Sequence, residues 1–374
     1  MVTTVAAPGC PKGAAMRSIP ASRIRMRVGV LAALSFLGAA STPFAEAAPA
    51  TDLFTAREPL LVELALDFGA LCRGERSAKC EDAHGTLSYL DADGTEHGIG
   101  VTVRARGRWR NESGNCTVPP LSVTFDSGAT DDTLFAGQTM LPLTTHCRDT
   151  PTEYEQYVLK EHLAYGIYNE LTDKSLRTRL ARVTYRDTGR RDRKVERYAF
   201  FTEHFDSLAA RHGAELWPTE NFDPREADPN ELATLELFEF MIGNTDWSAV
   251  AAHNVAHIRT PAGAVTAVAY DFDFSGIVNA PYATPPAQFR IRRVTQRLYR
   301  GFCHPEVDWT QLFARFLDRR GAIERVVQTE IGALEESHRQ AALAYLDEFF
   351  AIISSPEQRQ DDILDACRPL TDRS

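Results

Sequence analysis

The apolar residues of this 374-residue chain change their spacing partway along it, and this change limits the available folds more than any other feature. Within residues 62–68, 101–105 and 121–125 every second residue is apolar, which is typical of strands in a half-exposed antiparallel sheet. Beyond Glu203 the apolar spacing becomes mostly helical. We therefore predict an α+β fold, with a strand-rich N-lobe that contains one helix (residues 48–203) and a helix-rich C-lobe (residues 204–374).

The helix of the first part is predicted over residues 152–171. Thr152 and Glu155 have the spacing of a capping box, in which each side chain bonds a backbone N–H of the first turn. Lys160 falls on the apolar face of this helix. Two interpretations stay open for it: the stem packs while the ammonium reaches water, or the ammonium faces a ligand.

A hairpin and a second helix follow. Residues 180–185 and 198–202 are apolar segments separated by a very polar loop, which predicts a β-hairpin. Asp228 and Pro229 then form a typical helix start, and Gly243 is a typical helix end.

Residues 1–47 have the order of a cleavable secretory signal. Arginines precede an apolar run over residues 28–40, and a small-residue cleavage sequence ends at Ala47. The apolar run is shorter than the about 20 residues that a membrane-spanning helix needs. The residues before Met16 fit no part of a signal, which makes Met16 or Met26 a candidate start of translation. We expect a secreted or periplasmic protein with no membrane span after cleavage.

Six of the seven cysteines follow the predicted cleavage point, and an even number in an oxidising compartment indicates disulfides. Six cysteines allow 15 pairings, and the sequence does not decide among them. Proximity along the chain favours Cys72 with Cys80, Cys116 with Cys147, and Cys303 with Cys367. A structural zinc site is disfavoured because no Cys-x-x-Cys pair occurs.

The charge balance argues against two classes of partner. The chain has 41 basic and 51 acidic residues, and removal of the leader leaves it still more acidic. An acidic surface repels both nucleic acid and anionic lipid. We therefore expect neither as a partner.

A group of polar residues follows the second predicted helix. Gly-Asn-Thr-Asp-Trp occupies residues 243–247, and His253 and Asn254 come shortly afterwards. Two short strands are predicted between residues 255 and 270, and Asp-Phe-Asp-Phe-Ser-Gly (271–276) follows them.

Protein kinases use this order of elements. One Asp orients the acceptor hydroxyl, an Asn beyond it holds a metal ion, and an Asp after the next strand pair holds the other. Here Asn254 lies eight residues after Asp246 instead of five, and the final turn reads Asp-Phe-Asp instead of Asp-Phe-Gly. These departures exclude an ordinary protein kinase sequence.

The same residues resemble the core of the CotH (spore coat protein H) kinase family. That core is represented by residues 243–247, 253–254 and 270–276, and similar motifs are found at residues 106–108, 159–165 and 200–203. The family has an atypical protein-kinase-like, two-lobed fold. Its members are secreted or surface proteins that transfer phosphate from ATP to protein hydroxyls. The resemblance implies the same fold and activity here, with ATP, Mg²⁺ and a protein substrate as partners.

The resemblance also implies roles for four residues. Asp246 corresponds to the catalytic Asp, and Asn254 to a metal ligand. Asp271 or Asp273 would be the second metal ligand, since the doubled Asp-Phe leaves either possible. Mg²⁺ prefers such hard oxygen ligands.

One departure from the family concerns the phosphate-binding residue. Residues 117–122 (Thr-Val-Pro-Pro-Leu-Ser) lack the basic residues that the family commonly has before its Pro-x-basic strand. Lys160, Arg106 or Arg108 would have to bind the ATP phosphates instead. Glu203, at the end of the similar strand, is placed with them among the predicted cofactor-binding residues.

Three functions remain open on the sequence alone. The first is an exported kinase that uses Mg²⁺ and ATP. The second is a pseudokinase or nucleotide-binding structural module, which the missing basic residue favours. The third is a metal-dependent phosphohydrolase, in which water is the acceptor. Each Asp or Asn taken alone also has an ordinary explanation as a polar group at a turn or strand end.

Overall fold

The computed structural model describes most of the chain after the predicted signal. The described residues are 53–71, 82–91, 93–112, 114–190, 192–219, 221–329 and 332–370. The predicted signal, the candidate start sites and the predicted Cys72–Cys80 pair lie outside these residues.

Seven strands form a closed barrel. They are β1 (Leu60–Leu66), β2 (Ala83–Leu90), β3 (Glu96–Ala105), β4 (Leu121–Phe125), β5 (Met140–Thr144), β6 (Thr178–Asp187) and β7 (Arg193–Thr202). Their order around the barrel is β1-β2-β3-β4-β5-β7-β6. The barrel closes where β1 pairs in parallel with β6, with Leu60 opposite Ala181. Alternate side chains fill its interior, where Leu64, Val103 and Phe201 are fully buried.

The other elements are helices and a small sheet. The helices are α1 (Tyr154–Leu171), α2 (Phe205–Arg211), α3 (Pro229–Ile242), α4 (Trp309–Thr329), α5 (Glu336–Ser354) and α6 (Pro356–Arg359). The sheet contains β8 (Glu215–Leu216), β9 (Val255–Arg259) and β10 (Val265–Ala269), in the order β10-β9-β8. None of the described helices is long and apolar enough to cross a bilayer.

The prediction of a two-lobed, kinase-like fold is wrong. The strands close into a barrel, and the helices do not form a separate C-lobe. Helix α1 packs against both β7 and α4. One continuous core contains Leu163 of α1, Phe200 of β7 and Phe238 of α3. The described residues therefore belong to a single compact unit.

The predicted second helix and hairpin are confirmed. The Asp228 carboxylate accepts hydrogen bonds from the backbone N–H groups of Asn230 and Glu231, which satisfies two donors of the first turn of α3. Gly243 ends α3 with a left-handed φ of 66°, which favours glycine. Strands β6 and β7 pair as an antiparallel hairpin.

The predicted capping box of α1 is wrong. The helix begins at Tyr154, and its N-cap residue Glu153 makes no side-chain capping bond. The Glu155 carboxylate instead accepts a hydrogen bond of 2.7 Å from the backbone N–H of Tyr198 in β7. The Glu155 side chain, which the local pattern assigned to the helix cap, therefore makes a contact with β7 instead.

Two of the three favoured disulfides are confirmed. Cys116 is bonded to Cys147, and Cys303 to Cys367. Disulfides of this kind form and persist in oxidising compartments. They are consistent with a secreted protein.

His257 in β9 gives a prediction about stability in acid. Its ring is 2% exposed, lies 4.2 Å from the Phe222 ring between centroids, and has no hydrogen bond at Nε2 among the described residues. Burial lowers the pKa of His257 to about 4. The unfolded chain, with a pKa near 6.5, takes up a proton that the folded state does not. The contribution of His257 to the free energy of unfolding should therefore decrease as the pH falls from about 6.5 towards 4, by about 2 kcal/mol between pH 7 and pH 5.

Urea unfolding of the parent and of His257→Gln at pH 7 and pH 5 checks this prediction. We expect the variant to lose less stability than the parent between the two pH values, because the glutamine does not titrate. An equal loss in both proteins would contradict it.

Candidate active site

The β9–β10 hairpin brings two of the predicted metal ligands together. Val255 at the start of β9 pairs with Ala269 at the end of β10. The next residues outward are therefore neighbours, and the Asn254 carbonyl accepts a hydrogen bond of 3.0 Å from the Tyr270 N–H. Asp271 follows directly. The antiparallel pairing thus places Asn254 and Asp271 at one end of the sheet, although they are distant in sequence.

Both residues have an unusual backbone. Asn254 has a φ of 53° and Asp271 a φ of 64°, in the left-handed region that side chains other than glycine seldom adopt. The Asp271 N–H donates a hydrogen bond of 2.9 Å to the hydroxyl of Tyr165 in α1. Backbone conformations of this kind are concentrated at active sites and ligand-binding turns.

Asp246 is held beside this pair by a network of hydrogen bonds. Its N–H donates to Oδ1 of Asn244 (2.9 Å), and its own Oδ1 lies 3.0 Å from Nε2 of His253. Asn254 Nδ2 donates to the Asp246 carbonyl (2.6 Å) and lies 3.3 Å from Oδ2. The hydrogen bond to Asp246 raises the pKa of His253. These hydrogen bonds fix the direction of the Asp246 carboxylate. The side chain is still 30% exposed, so the carboxylate is open to a ligand.

A buried ionic cluster lies next to the Asp271 turn. The Arg110 guanidinium contacts Glu161 at 3.1 Å, Asp271 at 2.5 Å and Asp273 at 3.2 Å. Burial raises the pKa of Glu161 to about 7, against the effect of Arg110. Burial likewise raises the pKa of Asp273 well above its ordinary value. Three carboxylates therefore share one guanidinium, and the cluster lacks positive charge when all three are ionised.

Two oxygen atoms in and beside this cluster are of the type that binds a hard divalent cation. Asp273 Oδ2 is buried and makes no hydrogen bond among the described residues, although it lies near Arg110. Asn254 gives its Nδ2 to Asp246, so its Oδ1 is directed away from that partner. Carboxylate and amide oxygens are the ligands that Mg²⁺ prefers. As folded, no three or more His, Cys, Asp or Glu side chains of the described residues are arranged to hold a metal ion, because Arg110 binds the carboxylates.

A cleft opens to solvent beside the ionic cluster. The residues that line it include Arg106, Glu161, Tyr165, Glu203, Tyr270 and Asp271.

Of the four predicted cofactor-binding residues, two line this cleft. Arg106 does so without an ion pair among the described residues. Glu203 is buried in the cleft wall, where its carboxylate is bound at 2.9 Å by Arg177 and at 2.9 Å by Arg211. Arg108 is exposed and lies near enough to His253 to oppose its protonation. Arg106 is therefore the cation best placed for a bound anion.

Lys160 lies apart from these residues. It is 4% exposed, its ammonium lies 5.2 Å from the centre of the Tyr157 ring, and it does not line the cleft. Burial lowers its pKa to about 8. Neither interpretation from the sequence describes this position, since the ammonium is neither in the cleft nor fully in water.

The sequence analysis missed the residue at the centre of the site. Arg110 follows the Arg106-Gly107-Arg108 motif by two residues, and only the fold shows which arginine points inward. Tyr165 and Glu161 belong to the similar α1 motif but received no role. Their helical spacing of four residues, which puts both on one face, was the available signal.

Comparisons with known proteins add no family to this description. No protein-family model matches the chain, and no curated protein matches it.

Proposed function

We propose that this protein is an exported, Mg²⁺-dependent phosphotransferase that moves the γ-phosphate of ATP to a hydroxyl group, as the CotH kinases do. The observation that carries the proposal is the Asp246–Asn254–Asp271 arrangement beside three carboxylates that share a single guanidinium. The resemblance of residues 243–276 to that family supports the same reaction. The fold differs from the one implied by the resemblance, so the proposal depends on the site.

The nucleotide is assigned to the cleft beside the ionic cluster. Arg106 supplies an unpaired guanidinium there, suited to bind phosphate oxygens. Tyr270 and Phe205 line the same cleft and offer apolar surface to the base. Glu203 acts indirectly in this scheme, because its charge is already neutralised by two arginines.

The metal is assigned to Asn254 and Asp271, with Asp273 as the alternative carboxylate. When bound, Mg²⁺ neutralises charge on the phosphates during transfer. The two residues are fixed at one end of the β9–β10 hairpin, so their oxygens need little reorganisation. Arg110 binds Oδ1 of the Asp271 carboxylate at 2.5 Å and would have to share this carboxylate with the metal.

Asp246 acts on the acceptor. Its carboxylate accepts a hydrogen bond from the acceptor hydroxyl and takes its proton as the hydroxyl oxygen bonds to the γ-phosphorus. The bond from that phosphorus to the bridging oxygen breaks, and ADP leaves. His253 and Asn254 hold the carboxylate in direction throughout.

Export is part of the proposal. The predicted signal at residues 1–47 and the Cys116–Cys147 and Cys303–Cys367 bonds support it. Periplasmic and extracellular destinations are both compatible with these features.

Nucleotide binding by metal-ligand variants tests the proposed roles. We expect Asp271→Asn and Asn254→Ala to weaken Mg²⁺-dependent ATP binding by at least about tenfold, because each loses an oxygen ligand. Excess Mg²⁺ should partly restore it. Asp273→Asn reports whether the second carboxylate is also a ligand, and Asp362→Asn at an exposed position is the control.

Titration calorimetry with ATP, at several Mg²⁺ concentrations and with none, measures these affinities. Wild-type affinity in both Asp271→Asn and Asn254→Ala would contradict the assignment of the metal.

A further inference from the structure

The long irregular segment between β10 and α4 contains five arginines in eleven residues. They are Arg290, Arg292, Arg293, Arg297 and Arg300. Two of them are held by hydrogen bonds inside the protein, and the other three are exposed to solvent.

Two of the five arginines point inward and hold the backbone. Arg297 binds Glu348 at 3.0 Å and donates to the carbonyl oxygens of Met241 and Tyr345. Arg300 donates to the Thr245 carbonyl at 2.8 Å and also to the Trp247 carbonyl. These two arginines therefore stabilise the fold by donating hydrogen bonds to backbone carbonyl oxygens.

The other three are exposed, and we name them the arginine surface: Arg290, Arg292 and Arg293. In the described part of the chain none of them forms an ion pair. The backbone of this turn is nevertheless held in place. Gln296 Oε1 accepts hydrogen bonds from the backbone N–H groups of Arg292 (2.7 Å) and Arg293 (3.1 Å). The next residue, Val294, is buried and anchors the turn.

This segment is attached to both loops of the candidate active site. A Cβ at Gly276 would lie 2.8 Å from the Val294 carbonyl oxygen, so the arginine turn packs directly on the end of the Asp271 turn. The Phe289 ring lies 4.5 Å from the Arg300 guanidinium, which holds the carbonyl of Thr245. Thr245 directly precedes Asp246. The segment that carries the arginine surface thus contacts both loops that hold the residues proposed to meet the acceptor.

We propose that the arginine surface binds an acidic polypeptide segment that carries the acceptor hydroxyl. The inference rests on the proposed function and adds the substrate class to it. The charge of the whole chain supports it: the formal net charge is -10, so an acidic segment is repelled elsewhere and attracted to a local group of unpaired arginines. Arginine also binds carboxylates in a bidentate manner, which gives orientation as well as attraction.

The test uses a fluorescent eleven-residue peptide with one serine flanked by glutamates, and the same peptide with glutamines in place of the glutamates. Binding is measured by anisotropy without ATP, for the parent and for Arg290→Gln/Arg292→Gln/Arg293→Gln. We expect this triple variant to bind the acidic peptide about tenfold more weakly than the parent does. The parent should bind the glutamine peptide weakly, and added salt should reduce binding of the acidic one.

Two further variants complete the design. Arg190→Gln/Arg319→Gln/Arg325→Gln makes the same charge change at exposed positions on the β6–β7 loop and α4, and should bind like the parent. Arg292→Glu/Arg293→Glu should prefer a serine peptide flanked by lysines. Parent-like binding by the first triple variant, or equal losses in both triple variants, would overturn the inference.

Phosphate transfer to the same peptide is measured separately. No transfer by the parent, with binding that depends on the arginine surface, would refute the proposed function and leave the docking surface in place. Transfer with an unchanged KM in the first triple variant would support the function and refute the docking surface.

Discussion

Replacement of Asp246 by alanine is expected to lower the rate of phosphate transfer about 10²- to 10⁴-fold, the usual contribution of a positioned general base. The carboxylate is fixed by His253 and Asn254 and remains 30% exposed, so its loss removes an oriented group that an acceptor can reach. ATP binding should change little, because Asp246 does not line the cleft.

Single-turnover transfer and calorimetric ATP binding, measured on the same preparations, check this expectation. Asp362→Asn is the matched control at an exposed position. Asp246→Asn keeps the size of the side chain and should be nearly as slow as Asp246→Ala, since the amide cannot take the proton. A loss of ATP affinity equal to the loss of rate would assign Asp246 to nucleotide binding instead.

Replacement of Arg110 by methionine should lower the free energy of unfolding by about 3–5 kcal/mol, the cost of leaving buried charges without their partner. The guanidinium is 8% exposed and contacts Glu161, Asp271 and Asp273. Methionine fills a similar volume but leaves the buried carboxylates without their cation, so each must stay charged without its partner or take up a proton.

Denaturant unfolding of Arg110→Met measures this loss. Arg108→Met is the control: Arg108 is exposed in the same loop, so the change should stay within about 0.5 kcal/mol. Adding Glu161→Gln to Arg110→Met should recover part of the stability, because one buried charge is removed. Parent-like stability of Arg110→Met, or no recovery in the double variant, would contradict the account of the cluster.

Local patterns predicted helix α3 and the β6–β7 and β9–β10 hairpins well. The Asp228 cap, the Gly243 end and the β9–β10 hairpin each depend on residues close in sequence, which constrain the backbone directly. The fold class was not predicted, because barrel closure depends on the parallel pairing of β1 with β6. An alternating pattern gives the faces of a strand and not its partner.

In the candidate site too, features set by residues close in sequence were predicted, and features set by tertiary packing were not. Asn254 and Asp271 were singled out from order along the chain, and the short hairpin between them brings them together. Arg110 was missed, and Lys160, which was predicted to face the ATP phosphates, does not line the cleft. The positions of these two side chains depend on the direction in which each turns in the packed structure. A buried charge needs a partner, and the sequence alone does not show which carboxylates lie nearby.

The most direct test of the proposed function is incubation of the purified parent with γ-labelled ATP, Mg²⁺ and an acidic serine-containing polypeptide. The account predicts label on the polypeptide that depends on Mg²⁺ and is lost in Asp246→Ala. Release of free labelled phosphate without label on the polypeptide would instead indicate a phosphohydrolase. Label in neither product, from a folded parent that retains its disulfides, would contradict the phosphotransferase assignment.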